Sequence, residues 1–198
     1  MNILLAEDQA MVRGALAALL GMEPNFSITQ AEDGNQALAL LREQSFDVLL
    51  TDIEMPGLSG LELAQWLKQR SSSTRVIIIT TFGRAGYIRR AIDMGIEGFL
   101  LKDAPSAELI QALYRIMDGK RVIDGELALM ALGERDPLND KERRALRLAS
   151  EGKTTAEIAT ILCLSDGTVR NYLSDAIAKL HAVNRVDAAR IARQKGWI

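Results

Sequence analysis

Five times within its first 117 residues the chain passes from a short aliphatic run to an amphipathic stretch, and this alternation constrains the fold more than any other feature. The runs are Ile3 to Ala6, Ser27 to Ala31, Val48 to Thr51, Val76 to Thr80 and Gly98 to Leu101. Apolar residues between them recur at helical spacing: Met11, Val12, Ala15, Leu16 and Leu19; Leu61, Ala64 and Leu67; Ile88, Ala91 and Ile92; Leu109, Ala112, Leu113 and Ile116. Strands alternating with helices in this way are parallel strands joined by crossovers. Val76-Ile-Ile-Ile is apolar at every position, so helices must cover both sheet faces. The expected fold is α/β, a doubly wound five-stranded parallel sheet.

After residue 117 the pattern changes. Gly119, Gly125 and Gly133 surround a short helical patch, Glu126 to Leu132, and the segment closes in Asp136-Pro137. Residues 118–136 therefore read as a linker with one helix. Everything beyond is helical in pattern. Asn139 with Glu142 forms a capping box, Gly152 ends that helix, Thr154 with Glu157 opens the next, and Ser165 with Thr168 opens a third. Asn184 caps a fourth, closed by Gly196. The tight Cys163-Leu-Ser165 connection gives the second and third of these helices the geometry of a helix-turn-helix. The chain thus divides at 1–117, 118–136 and 137–198.

Charge follows the same division. Residues 1–117 carry 10 basic and 14 acidic side chains, whereas residues 137–198 carry 11 and 7, so a polyanion is expected to meet the tail alone. Nothing at the N-terminus resembles a signal peptide and no run is long enough to cross a bilayer, so a cytoplasmic protein with no membrane partner is expected. Cys163 and the distant His181 are too few for a zinc cluster.

In an open parallel sheet the chemistry gathers beyond the carboxyl ends of the strands, where strand order reverses. Glu7 and Asp8 follow the first strand, Asp52 the third, Thr80 ends the fourth and Lys102 follows the fifth. A bland alternative makes Glu7 and Asp8 solvated loop residues and Asp52 a turn former, but it leaves the joint placement of five polar residues unexplained. Clustered carboxylates repel one another unless a cation joins them, and an all-oxygen site that must also hold a phosphoryl group suits Mg²⁺. Asp52 is the expected nucleophile, forming an aspartyl phosphate. The metal, Lys102 and Thr80 would then steady the equatorial oxygens.

Glu7-Asp8, Leu50-Thr-Asp52-Ile-Glu-Met-Pro-Gly57, Thr80 and Gly98-Phe-Leu-Leu-Lys102 resemble the receiver domain of bacterial two-component response regulators. The resemblance implies a CheY-like sheet of order 2-1-3-4-5 and phosphorylation of Asp52 by a sensor histidine kinase. It implies Mg²⁺ held by Asp8, Asp52 and the Glu54 backbone carbonyl, with Glu7 acting through water. Thr80 and Phe99 become a switch pair that alters the surface of helix four, strand five and helix five. The chain departs from many receivers in having Asp103 after Lys102 where proline is common.

On the third tail helix, Val169, Leu173, Ala176, Ile177 and Leu180 form one stripe and leave Gly167, Asn171 and Ser174 opposite, with Arg170 at the flank. Asn and Arg are suited to adenine and guanine edges. Lys153, Thr154, Thr155, Lys179 and Arg185 sit where phosphate contacts are expected. A protein-docking bundle is the competing reading of the same pattern. Thr168-Val-Arg-Asn-Tyr172, Lys179-Leu180 and Val183-Asn-Arg185 resemble the helix-turn-helix of LuxR-type regulators. This implies Arg170, Asn171 and Ser174 toward bases, Thr168 in the DNA-facing set, and Val186, Ala189 and Arg190 pairing two tails.

Receiver plus LuxR-type tail is the layout of the NarL/FixJ group. Thr80-Thr-Phe82, Gly86-Tyr87 and Lys102-Asp103 are similar to its DesR-like subgroup, for which control of membrane-lipid desaturation genes is the expectation. The implied partners are a sensor histidine kinase, double-stranded promoter DNA, a second copy of the chain and RNA polymerase. The expected protein is no enzyme beyond its own phosphoryl transfer and autodephosphorylation. The rival from another class is a metal-dependent phosphatase with Asp52 as nucleophile and a protein-docking tail. Such phosphatases usually carry a second Asp two residues on, where this chain has Glu54.

Overall fold

A computed structural model describes residues 1–81, 84–130 and 135–198. They divide into two compact units whose main parts run from Met1 through the helix ending at Met130, and from Asp140 to Ile198. The front unit is a parallel sheet of β1 (Asn2–Ala6), β2 (Ser27–Ala31), β3 (Val48–Asp52), β4 (Arg75–Thr80), β5 (Gly98–Leu101) and β6 (Val122–Ile123). Its crossovers are α1 (Ala10–Leu20), α2 (Gly34–Glu43), α3 (Gly60–Gln69), α4 (Ala85–Met94) and α5 (Ser106–Met117), and α6 (Gly125–Met130) follows β6.

Alternation along each strand sorts the core onto two faces. Leu4, Ala6, Leu49, Ile78 and Phe99 face α2, α3 and α4. Ile3, Leu5, Leu50, Ile77 and Leu100 face α1 and α5. The strand order is β2-β1-β3-β4-β5-β6 and every pair is parallel, so the doubly wound expectation holds with one correction: the sheet has six strands, not five. Val122 and Ile123 pair with Gly98 and Phe99, inside the segment read as linker. Two residues are too few to show a period, which is why the sequence hid them. α2, absent from the expected helices, is capped by Asp33, whose side chain accepts a hydrogen bond from the Gln36 amide. The end of the patch expected over Glu126 to Leu132 lies outside the described residues.

The back unit is α7 (Asp140–Ser150), α8 (Thr155–Leu162), α9 (Asp166–Lys179) and α10 (Arg185–Lys195). Asn139 with Glu142 and Thr154 with Glu157 close reciprocal capping boxes, Ser165 caps α9, and Asn184 and Gly196 bound α10, all as expected. Between α8 and α9, Cys163 turns the chain in the left-handed region at φ 54°. The Leu164 amide reaches back to the Ala159 carbonyl at 2.9 Å, which closes the turn of the helix-turn-helix.

Candidate functional site

The winding of the sheet reverses between β1 and β3, where Ala6 lies beside Thr51. The residues that follow in register are Glu7 and Asp52, so two carboxylates meet where a doubly wound sheet opens a crevice. Glu7 is fully buried, Asp52 is 6% exposed and Asp8 is solvent-exposed. One ligand oxygen from each of the three falls within a 4.8 Å group. β5 delivers Lys102 into the cluster: its Nζ lies 2.8 Å from Asp52 Oδ2 and 2.6 Å from Glu7 Oε2. The Lys102 amide donates to the Thr80 carbonyl at 2.8 Å, which ties the ends of β4 and β5 together. Thr80 is buried at the end of β4 and Phe99 is buried within β5.

The backbone fixes one carboxylate oxygen of Asp52, because the Ile53 amide donates to Asp52 Oδ1 at 2.6 Å. Burial pushes the Asp52 carboxyl up, against the opposing pull of Lys102, and does the same to Glu7. Burial works to lower the Lys102 ammonium, but its bonds to Asp52 and Glu7 outweigh it and the net shift is upward. Glu7 Oε2 shows what the cluster lacks. The Lys102 ammonium is its ion-pair partner at 2.6 Å, and this buried oxygen has no further hydrogen bond. The three carboxylates outnumber the one lysine and offer only oxygen ligands, which fits a hard divalent cation.

Two residues that the sequence reading gave no role also shape the site. Arg13 on α1 donates from one guanidinium nitrogen to the Glu7 carbonyl at 2.7 Å, fixing the backbone of the acidic pair. Tyr87 on α4 donates its hydroxyl to Glu54 Oε1 at 2.7 Å. Its sequence signal was the Gly86-Tyr87 pair itself, a motif with no chemistry attached.

On α9, Arg170, Asn171 and Ser174 are exposed, while Val169, Leu173 and Ala176 are buried, as the wheel requires. Arg185 and Val186 are exposed at the start of α10. Lys153 and Thr155 are half-buried around the start of α8, and Thr154 spends its hydroxyl on Glu157 at 2.8 Å. Thr168 pairs its hydroxyl with that of Ser165 at 2.9 Å.

Two of the expected contact residues are already engaged inside the tail. Ala189 was expected on a pairing surface but is buried with Ala188 and Ala192 in the tail core, because small side chains let α10 pack closely against α7. Arg190 stays exposed, bonded to Asp187 at 2.8 Å. Lys179 was expected on a phosphate but reaches both carboxylate oxygens of buried Glu142 at 2.8 Å. The same Glu142 carboxylate accepts from the Asn139 amide, so Lys179 locks α9 to the cap of α7. Lys179→Ala should therefore destabilise the tail by about 1–2 kcal/mol, below the cost of breaking a fully buried pair because the lysine is 40% exposed. Urea unfolding checks this; unchanged stability with weakened DNA binding would restore the phosphate role.

A doubly wound domain with an acid and lysine cluster at its switch point, followed by a helix-turn-helix unit, is the layout of a phosphoacceptor regulator. Residues 3–114 match the response regulator receiver domain, and residues 136–192 match the bacterial regulatory proteins of the luxR family. The transcriptional regulatory protein DesR of Bacillus subtilis strain 168 is 43% identical over 99% of this chain and 98% of its own length. The uncharacterized transcriptional regulatory protein YvfU of the same strain is 45% identical over 100% of this chain and 99% of its own. A solved structure of RcsB from Salmonella enterica serovar Typhimurium, bound to promoter rprA in the presence of phosphomimetic BeF3-, matches with a TM-score of 0.73 at 25% identity, covering 96% of this chain and 97% of that one. The chain belongs to the two-component response regulators of the NarL/LuxR type and is a DNA-binding transcription regulator. The phosphatase reading finds no support in these matches. No helix among the described residues is long and apolar enough to cross a membrane.

Proposed function

We propose that Asp52 accepts a phosphoryl group from a sensor histidine kinase and that the modified receiver promotes promoter binding by the tail. The observation that carries this reading is the Lys102 ammonium 2.8 Å from Asp52 Oδ2, the oxygen the Ile53 amide does not hold, with Glu7 and Asp8 beside it. Asp52 Oδ2 forms the new bond to phosphorus as the phosphorus–nitrogen bond of a phosphohistidine breaks, and the imidazole leaves with that electron pair. Asp52 Oδ1 stays on the Ile53 amide, which aligns the carboxylate for attack. Lys102 is placed to follow the charge onto the phosphoryl oxygens, and the Thr80 hydroxyl to bond one of them. Mg²⁺ held by Asp8, Asp52 and the Glu54 carbonyl, with Glu7 acting through water, would neutralise those oxygens when bound.

The proposed domains are a receiver over 1–117, a connecting segment over 118–136 whose β6 joins the receiver's sheet, and a reader over 137–198, in a cytoplasmic protein. Thr80 and Phe99 form the switch, and loss of the phosphate to water returns it to rest. Phosphorylated receivers pair, which raises the avidity of two tails for neighbouring half-sites without a new base contact. Arg170, Asn171 and Ser174 face bases; Lys153, Thr154, Thr155, Thr168 and Arg185 lie toward phosphates; Val186 and Arg190 remain the pairing surface of the tail. RNA polymerase is the proposed downstream partner, and membrane-lipid desaturation genes are the first regulon to test. Promoter DNA should bind more tightly after treatment with acetyl phosphate and Mg²⁺, and equal affinity with and without the donor defeats the proposal. Arg170→Ala should cost roughly 1–3 kcal/mol of specific binding and relax preference at one base position. A binding-site selection experiment reads this directly; an unchanged base profile removes Arg170 from the reading set.

A further inference from the structure

The loop from Asp52 to Gly60 carries both the nucleophile's amide partner, Ile53, and the Glu54 carbonyl proposed as a metal ligand. Several elements hold it. The Gly60 amide donates back to the Ile53 carbonyl at 3.1 Å, the Gly34 amide at the start of α2 donates to Pro56 at 3.0 Å, and Ser59 caps α3. Between the Ile53 and Pro56 ties stands Glu54, whose side chain is exposed. Its Oε1 receives the Tyr87 hydroxyl at 2.7 Å, a bond that comes from α4, 33 positions along the chain. The Tyr87 ring is 5% exposed and belongs to the same core as Phe99 and Met55, so the hydroxyl is presented from a fixed support. A phenol held in a core and bonded to a carboxylate at the site rim has the geometry of an outer partner that orients inner ligands.

We propose that Tyr87 is a positioning residue: by holding Glu54 it sets the backbone between Asp52 and Gly60, and so makes the cation affinity of the acidic site depend on α4. This rests on the reading of Glu7, Asp8, Asp52 and the Glu54 carbonyl as the cation site. In this role the Tyr87 side chain acts through Glu54 and is assigned no contact with the phosphoryl group or the metal.

The test is a Mg²⁺ titration of the full chain by calorimetry, with thermal unfolding at zero and saturating MgCl₂ as a second reading. Tyr87→Phe keeps the buried ring and removes the hydroxyl. It should weaken Mg²⁺ binding by about tenfold, the low end for losing an outer partner, with little change in Tm when Mg²⁺ is absent. A ring that only packs would leave the Mg²⁺ affinity of Tyr87→Phe equal to wild type, and that result overturns the inference. Adding Tyr87→Phe to Glu54→Ala should cost nothing further, because the path runs through Glu54. The same tenfold loss in both backgrounds sends the effect along another route and also overturns it. If wild type and Asp8→Asn respond identically to Mg²⁺, the cation-site reading itself falls and takes the Tyr87 role with it. A wild type that responds, beside an Asp8→Asn that does not, keeps that reading and leaves Tyr87→Phe to decide.

Discussion

Asp52→Asn is expected to abolish labelling of the chain by radioactive acetyl phosphate, by at least about a hundredfold, while leaving the fold intact. The loss follows from chemistry, since an amide oxygen is a poor nucleophile and Asp52 is the carboxylate that Lys102 and the Ile53 amide jointly present. The intact fold follows from electrostatics. Burial raises the Asp52 carboxyl above its ordinary value of 3.8 in the folded chain. A group with a raised folded pKa contributes stability below its unfolded pKa, and that contribution is lost as pH rises through the folded value. Wherever Asp52 is ionised in the folded chain it is therefore a net burden on the wild-type fold, and asparagine removes that burden. The Asn Oδ1 can still accept from Ile53, and Lys102 keeps Glu7 at 2.6 Å. The variant should unfold at or above the wild-type temperature at pH 7, with the difference shrinking as pH falls toward 4. Full labelling of Asp52→Asn would mean that another carboxylate is the acceptor. A large drop in Tm would mean that the Lys102 pair, rather than desolvation, dominates the balance at the site.

How much of this was legible depended on length and on burial. Val48-Leu-Leu-Thr-Asp52 announces a buried parallel strand ending in a carboxylate, because five consecutive positions must suit a two-sided core before one can meet solvent. Lys102 was legible for the same reason, as the first charge after Gly98-Phe-Leu-Leu. The caps at Asn139, Thr154, Ser165 and Asn184 could be read because each needs only a local partner within three residues. What escaped was long-range or short. β6 is two residues that become a strand by finding the edge of β5. Lys179 looked like a phosphate contact because a cation at a helix end gives no hint of a glutamate 37 positions earlier. Ala189 looked available because an alanine is compatible with either a packed or an open face, and only the fit of α10 against its neighbours decides. Tyr87 and Glu54, 33 positions apart, pair through the tertiary fold alone.

The connection between fold and site is sharp at Gly60, where a large effect on stability is expected. A Cβ built there would lie 2.1 Å from the Asp52 carbonyl oxygen and 2.9 Å from the Thr51 side chain. The first distance is to backbone in the central strand, so no rotamer change relieves it, and α3 must instead lift from the end of β3. That lift works against the Gly60 amide bond to the Ile53 carbonyl and against the Ser59 capping box one residue earlier. Gly60→Ala should therefore cost about 3 kcal/mol, the upper part of the range for overpacking a tight core, despite alanine's better helix propensity. For a domain of this size that is a fall in Tm on the order of 10 °C, read by following the receiver's unfolding. Phospholabelling should fall as well, since the displaced loop carries the Ile53 amide that orients Asp52. Gly14, where an added Cβ meets nothing within 4 Å, supplies the comparison: Gly14→Ala on α1 should raise Tm slightly through helix propensity and keep labelling. If Gly60→Ala behaves like Gly14→Ala, the close approach of α3 to the Asp52 backbone is wrong. The rigidity ascribed to the nucleophile would then have to come from Lys102 and the Ile53 amide without the helix behind them.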